Sequence, residues 1–159
     1  MVNLKFIAMS FFLISMPAFS WQTYVSKIPS KNGANAQIII PINTSRIIQL
    51  TCGKRRLDLS YLMMDGVSIV KGGYVGDLKF SVDDKTLNVS GDFYRHDSNF
   101  VGLKIEDRET LSSLISMLRV AKKDFYVYES RDGTYIPFKI YLNDPKESVN
   151  KFSDACGLK

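Results

Sequence analysis

Two cysteines, Cys52 and Cys156, stand 104 residues apart with no third to compete, and nothing else constrains the fold of this chain so strongly. In Ile48-Gln49-Leu50-Thr51-Cys52 the alternation puts Cys52 on the face of Ile48 and Leu50, the inward face of a strand. Val149 and Phe152 precede Cys156 by seven and four residues, so a helix places all three on one stripe. Both thiols therefore point towards a core. In an oxidising compartment they pair, tying an early strand to the last helix, with free thiols as the alternative. Closing so long a loop stabilises by up to about 4.7 kcal/mol, less any native strain. There is no Cys-x-x-Cys, so the expected bridge is structural and not redox-active.

The first twenty residues supply the compartment. Lys5 is their only charge, residues 6–16 are apolar except for Ser10 and Ser15, and Pro17-Ala18-Phe19-Ser20 adds a helix breaker and a small-x-small pattern. An apolar run of about 11 residues is too short to cross about 30 Å of hydrocarbon as a helix. It predicts a signal peptide over 1–20, cleaved between Ser20 and Trp21; a buried N-terminal helix is the competing reading. The remaining domain, 21–159, has no other run long enough to cross a membrane and is expected in the periplasm or outside the cell. A formal charge of +5, or +4 without Lys5, and 45% apolar residues argue against a disordered chain or a nucleic-acid binder.

Period-two alternation runs through most of that domain. Strands are predicted over 37–42, 46–52, 57–63, 78–82, 86–90, 101–105, 125–128 and 135–142, with a short first segment at 21–27. Asp65-Gly66, Asp83-Asp84-Lys85 and Asp132-Gly133 are turn signals. Pro137 predicts an edge strand or a bulge, because it has no N–H for a ladder. Leu111, Leu114, Ile115 and Leu118 have helical spacing, with Asp107 as N-cap. Asp144-Pro145-Lys146-Glu147 opens a second helix and Gly157 ends it. The fold class is α+β and β-rich: an antiparallel meander or sandwich-like sheet, one amphipathic helix, a C-terminal helix and one disulfide.

The order of these parts resembles the small periplasmic proteins of the type VI secretion-associated VasI/TagO type. The signal is followed by Trp21, a strand ends in Cys52, and a meander includes Phe80-Ser81-Val82-Asp83-Asp84. A Leu-rich helix and a hairpin come next, and the chain closes on Ser153-Asp154-Ala155-Cys156-Gly157. The likeness runs over most of 46–157. The family's usual lipid-anchor cysteine is absent from this sequence. The resemblance implies the family's fold, a periplasmic location and a non-enzymatic accessory role.

Reactive chemistry is sparse. His96 is the only histidine, in a predicted polar loop, Gly91 to Asn99, between two strands. Asp92, Asp97 and Asn99 nearby do not follow a calcium-loop spacing. No serine sits in a Gly-x-Ser-x-Gly elbow. The glycine-rich run at 71–76 lacks the Gly-Lys-Ser/Thr ending of a phosphate loop. Glu106, Asp107 and Glu109 are explained by a helix start. No catalytic residue, metal or cofactor is therefore expected. The expected role is protein–protein contact with another envelope or secreted protein. Candidate contact residues are the basic run Lys54, Arg55 and Arg56, the loop aromatic Tyr74, and His96. An inhibitor or immunity protein that neutralises an envelope-acting toxin or hydrolase is the alternative. It requires a cleft-plugging loop at 71–77 or 92–99.

Overall fold

The computed structural model describes residues 20–26, 34–53, 56–67, 70, 73–142 and 145–158. Residues 1–19 of the expected signal segment, Lys54, Arg55 and the expected cap Asp144 lie outside them. Alternation becomes nine strands: β1 (Gln22–Val25), β2 (Ala34–Asn43), β3 (Arg46–Gly53), β4 (Leu57–Met64), β5 (Val75–Val82), β6 (Lys85–Arg95), β7 (Phe100–Ile105), β8 (Phe125–Arg131) and β9 (Thr134–Ile140). Two helices complete the domain, α1 (Arg108–Val120) and α2 (Pro145–Cys156). The strands form one sheet in the order β1-β2-β3-β4-β7-β6-β5-β8-β9, every neighbouring pair antiparallel. Pro137 sits in β9, at an edge of that order, where its missing N–H costs no ladder bond.

Two contacts reveal how strongly the sheet curls. Four strands separate Arg46 in β3 from Glu129 in β8, so a flat sheet would hold them about 24 Å apart at about 4.8 Å per step. Instead Arg46 Nε lies 2.9 Å from Glu129 Oε2. The Trp21 indole N–H donates to the Tyr141 carbonyl at 3.1 Å, joining the entry to β1 with the exit from β9. The two halves of one sheet thus face each other across a shared core, the sandwich-like arrangement expected from the alternation. Gly91 serves the bend. β6 pairs with β5 as far as Asp92 and with β7 from Asp92 onward, and a Cβ at Gly91 would run into the Lys104 carbonyl.

The helices fill the curl. Asp107 caps α1 by accepting the N–H groups of Glu109 and Thr110 at 3.0 and 3.3 Å, and the helix buries Leu111, Leu114, Ile115, Met117 and Leu118. Val149 and Phe152 of α2 are fully buried in the same core as Ile38, Leu50, Phe80 and Val127. The Cys52–Cys156 bridge joins the end of β3 to the end of α2, with Cα atoms 5.9 Å apart.

Turn residues do specific work. Asp132 and Gly133 have φ of +48° and +78°, the two left-handed residues of a tight hairpin. Asp83, at φ +51°, accepts the backbone N–H groups of Lys122, Lys123 and Asp124. Those bonds, the one from Asp124 foremost, hold its carboxyl below the usual range. The Phe80–Asp84 segment thereby anchors the exit of α1 to the β5–β6 turn.

Several boundaries move: β2 and β8 are longer than expected, at Ala34–Asn43 and Phe125–Arg131, and three other shifts bear on the surface. Residues 91–95, expected in a loop, continue β6, because backbone pairing with β7 outweighs their turn-forming composition. Residues 75–77 begin β5 and are not loop. The last strand ends at Ile140, and the Tyr141 carbonyl turns to the Trp21 side chain.

Candidate functional site

The curled sheet carries polar clusters on both sides. On the inner side Glu129 is only 6% exposed, opposite Leu78 and Ile136 on the neighbouring strands. Its carboxylate accepts hydrogen bonds from Arg46 Nε at 2.9 Å, Arg131 Nε at 2.6 Å and the Tyr61 hydroxyl at 3.2 Å. Burial alone would push the Glu129 carboxyl up, but the two guanidinium groups outweigh it and hold the carboxyl below its ordinary value. Burial, helped by the Glu129 charge, pushes the Tyr61 phenol up. The Arg46 guanidinium also lies 4.3 Å over the Phe138 ring. Next to this cluster is a cavity of about 300 Å³ lined by Tyr61, Met63, Gly76, Phe93, Leu103 and Arg131 among others. The carboxylate is saturated by its own neighbours, so the cluster locks the curl.

On the outer side, β2, β3, β4, β7 and β6 present a groove of about 370 Å³. Strand register builds it: Gln37 lies opposite Thr51, Gln49 opposite Ser60, and Ser60 opposite Lys104. The Tyr94 ring lies across Gly102, where any Cβ would collide with Cε1. The Tyr94 hydroxyl donates to Ser60 Oγ at 2.9 Å and meets His96 Nδ1 at 3.2 Å. Ser60 receives a proton from its neighbour, the reverse of what an activated nucleophile requires.

Among the described residues the charges of the groove pair with one another. Arg56 pairs with Asp58 at 3.0 Å and with Glu106 at 3.4 Å, and Lys104 pairs with Glu106. The hydrogen bond from Lys104 is the main reason that the Glu106 carboxyl lies below its usual range. The side chains of Gln37, Gln49 and Thr51, by contrast, make no hydrogen bond among the described residues.

Arg56 and His96, two of the contact residues expected from sequence, therefore line one groove although 40 positions separate them. Tyr74 does not join them. It is 63% exposed on the connection between β4 and β5, where its carbonyl accepts the Phe93 N–H. Three further large apolar side chains on or beside that connection are also exposed: Met64 at 55%, Val67 at 92% and Val75 at 63%. The connection is tied to the 96–99 turn by the Asp65 N–H, which donates to the Asn99 carbonyl at 2.8 Å. Within that turn Asp97 accepts the N–H groups of Asn99 and Phe100, and these bonds hold its carboxyl below the usual range. Neither loop considered for plugging a cleft is as long as expected, since β5 begins at Val75 and β6 runs to Arg95.

Sequence reading missed Gln37, Gln49, Thr51, Ser60 and Tyr94 as one surface. The signal was present in the outward positions of strands whose inward positions alone were followed. Compared with protein-family models, with curated proteins and with solved structures, the chain matches none.

Proposed function

We propose that this is an exported accessory protein that acts by contact with another envelope or secreted protein, without catalysing a reaction. The observation that carries this is the connection between β4 and β5, where Met64, Val67, Tyr74 and Val75 are each more than half exposed. Water-facing apolar groups gathered on one connection favour a partner surface that removes them from solvent. Tyrosine adds contact area at little cost in rotamer freedom. The resemblance to the VasI/TagO type supports an accessory role in the periplasm, possible association with a secretion system being its most specific form. The bridge between Cys52 and Cys156 suits an oxidising compartment.

Site-specific photo-cross-linking from position 74 in cells tests the proposal. A discrete cross-linked protein is expected from position 74 and none from position 88, an exposed site on β6. Val67→Ser with Val75→Ser, the cross-linker staying at position 74, should abolish that product while leaving the melting temperature unchanged. The same products from both positions, or a product indifferent to the double substitution, overturns the reading.

A further inference from the structure

Beyond contact through the β4–β5 connection, we propose that the outer groove binds a neutral saccharide chain. Three features of the groove converge on that chemistry. First, among the described residues its fixed charges are spent on one another: Arg56 and Lys104 are matched by Asp58 and Glu106. A charged ligand would have to break those pairs to gain its own. Second, its uncharged polar groups are not spent. Gln37 and Gln49 each keep two amide donors and a carbonyl acceptor, and Thr51 keeps its hydroxyl, with no side-chain partner among the described residues. The chain from His96 through Tyr94 to Ser60 adds the exposed His96 ring and a Ser60 O–H donor. Such an alternation of neutral donors and acceptors matches hydroxyl and acetamido groups, which both give and take hydrogen bonds.

Third, the groove has an aromatic floor. Gly102 leaves the space over β7 that the Tyr94 ring occupies, and the apolar C–H face of a pyranose stacks on an aromatic ring. The groove, at about 370 Å³, lies in the size range of small-ligand sites. Gln37, Gln49, Thr51, Ser60 and Tyr94 sit on paired strands, with Arg56 and His96 one residue beyond strand ends, so the ordering cost of binding is low.

The test titrates the full exported protein with chitotriose, cellotriose, maltotriose and trigalacturonate, following backbone and glutamine side-chain amides by NMR. At least one neutral trisaccharide is expected to bind with Kd of about 1 mM or tighter and to shift the Gln37 and Gln49 side-chain amides. Gln49→Ala should weaken that binding about fivefold, the worth of one hydrogen bond, with the melting temperature unchanged. Tyr94→Phe, which keeps the ring, should weaken it less than Tyr94→Ala. The proposal is overturned if none of the neutral sugars binds at about 10 mM, ten times the expected Kd. Tighter binding of trigalacturonate than of every neutral trimer also overturns it, and assigns the surface to anionic polymers. Shifts confined to the β4–β5 connection would overturn it too, without touching the contact role proposed for that connection.

Discussion

The inner cluster around Glu129 and the outer groove around Tyr94 use nearly the same side chains: an arginine, a tyrosine and carboxylates held on facing or neighbouring strands. They differ in what is left over. Inside, Arg46, Arg131 and Tyr61 converge on one carboxylate and saturate it. Outside, among the described residues, the ionic groups cancel in pairs and the neutral amides of Gln37 and Gln49 remain unpaired. A polar cluster stabilises a fold when its hydrogen-bonding capacity is exhausted internally, and recognises a ligand when some of it is not.

The comparison breaks most visibly if the inner side tolerates truncation. Phe152→Ala removes a fully buried ring from α2 and should cost about 3–5 kcal/mol, read as a lower urea midpoint. A change below about 1 kcal/mol would mean that α2 does not carry the core.

Removing the bridge comes next. Cys52→Ala with Cys156→Ala should cost about 2–5 kcal/mol, and the folded wild type should titrate with no free thiol. Two reactive thiols per native chain would refute the pairing.

Glu129→Gln keeps the shape and removes the charge, leaving Arg46 and Arg131 without their counter-ion. The loss should be about 2 kcal/mol at neutral pH, below the value for a fully enclosed pair because Arg131 reaches solvent. The folded Glu129 carboxyl lies below its unfolded value, so its stabilisation is present above the usual carboxylate range and lost as pH falls through the folded value. The gap between wild type and Glu129→Gln should therefore narrow in acid. A gap that is constant from neutral pH into acid denies the ion pair its role.

The outer side should be nearly silent in stability. Tyr94→Phe and His96→Ala should each change it by no more than about 0.5 kcal/mol. A larger loss would make the Ser60–Tyr94–His96 chain a structural element, and the contrast between the two faces would disappear.

Local order was legible where neighbours in sequence are neighbours in space. The alternation through Ile48, Leu50 and Cys52, the stripe from Leu111 to Leu118 and the Asp107 cap each depend on a few adjacent residues, and each stands as read. The insertion of β7 between β4 and β6 is another matter, because pairing partners 36 to 46 positions apart leave no local mark. Glu129 appears in sequence as a charge interrupting an inward pattern. Its explanation, Arg46, lies 83 residues earlier and meets it only because the sheet curls. Residues 91–95 misled for the opposite reason. Gly91, Asp92, Arg95 and the polar run after them are turn formers, yet Gly91 serves a bend within β6 and Tyr94 covers Gly102. Of the candidate site, the meeting of Arg56 with His96 is a property of strand register, which the residue types do not encode.

The bridge has a consequence for how the chain comes into being. Synthesis delivers Cys52 at the end of β3 long before Cys156, and the sequence offers it no other cysteine in between. A nascent chain stopped anywhere from 53 to 155 carries an unpaired thiol, open to mixed disulfides with whatever oxidant or isomerase it meets. Capture of that thiol is therefore a timer for biogenesis. Its disappearance marks the moment when α2 has been made and seated, and its persistence distinguishes a molecule whose C-terminal helix has not docked.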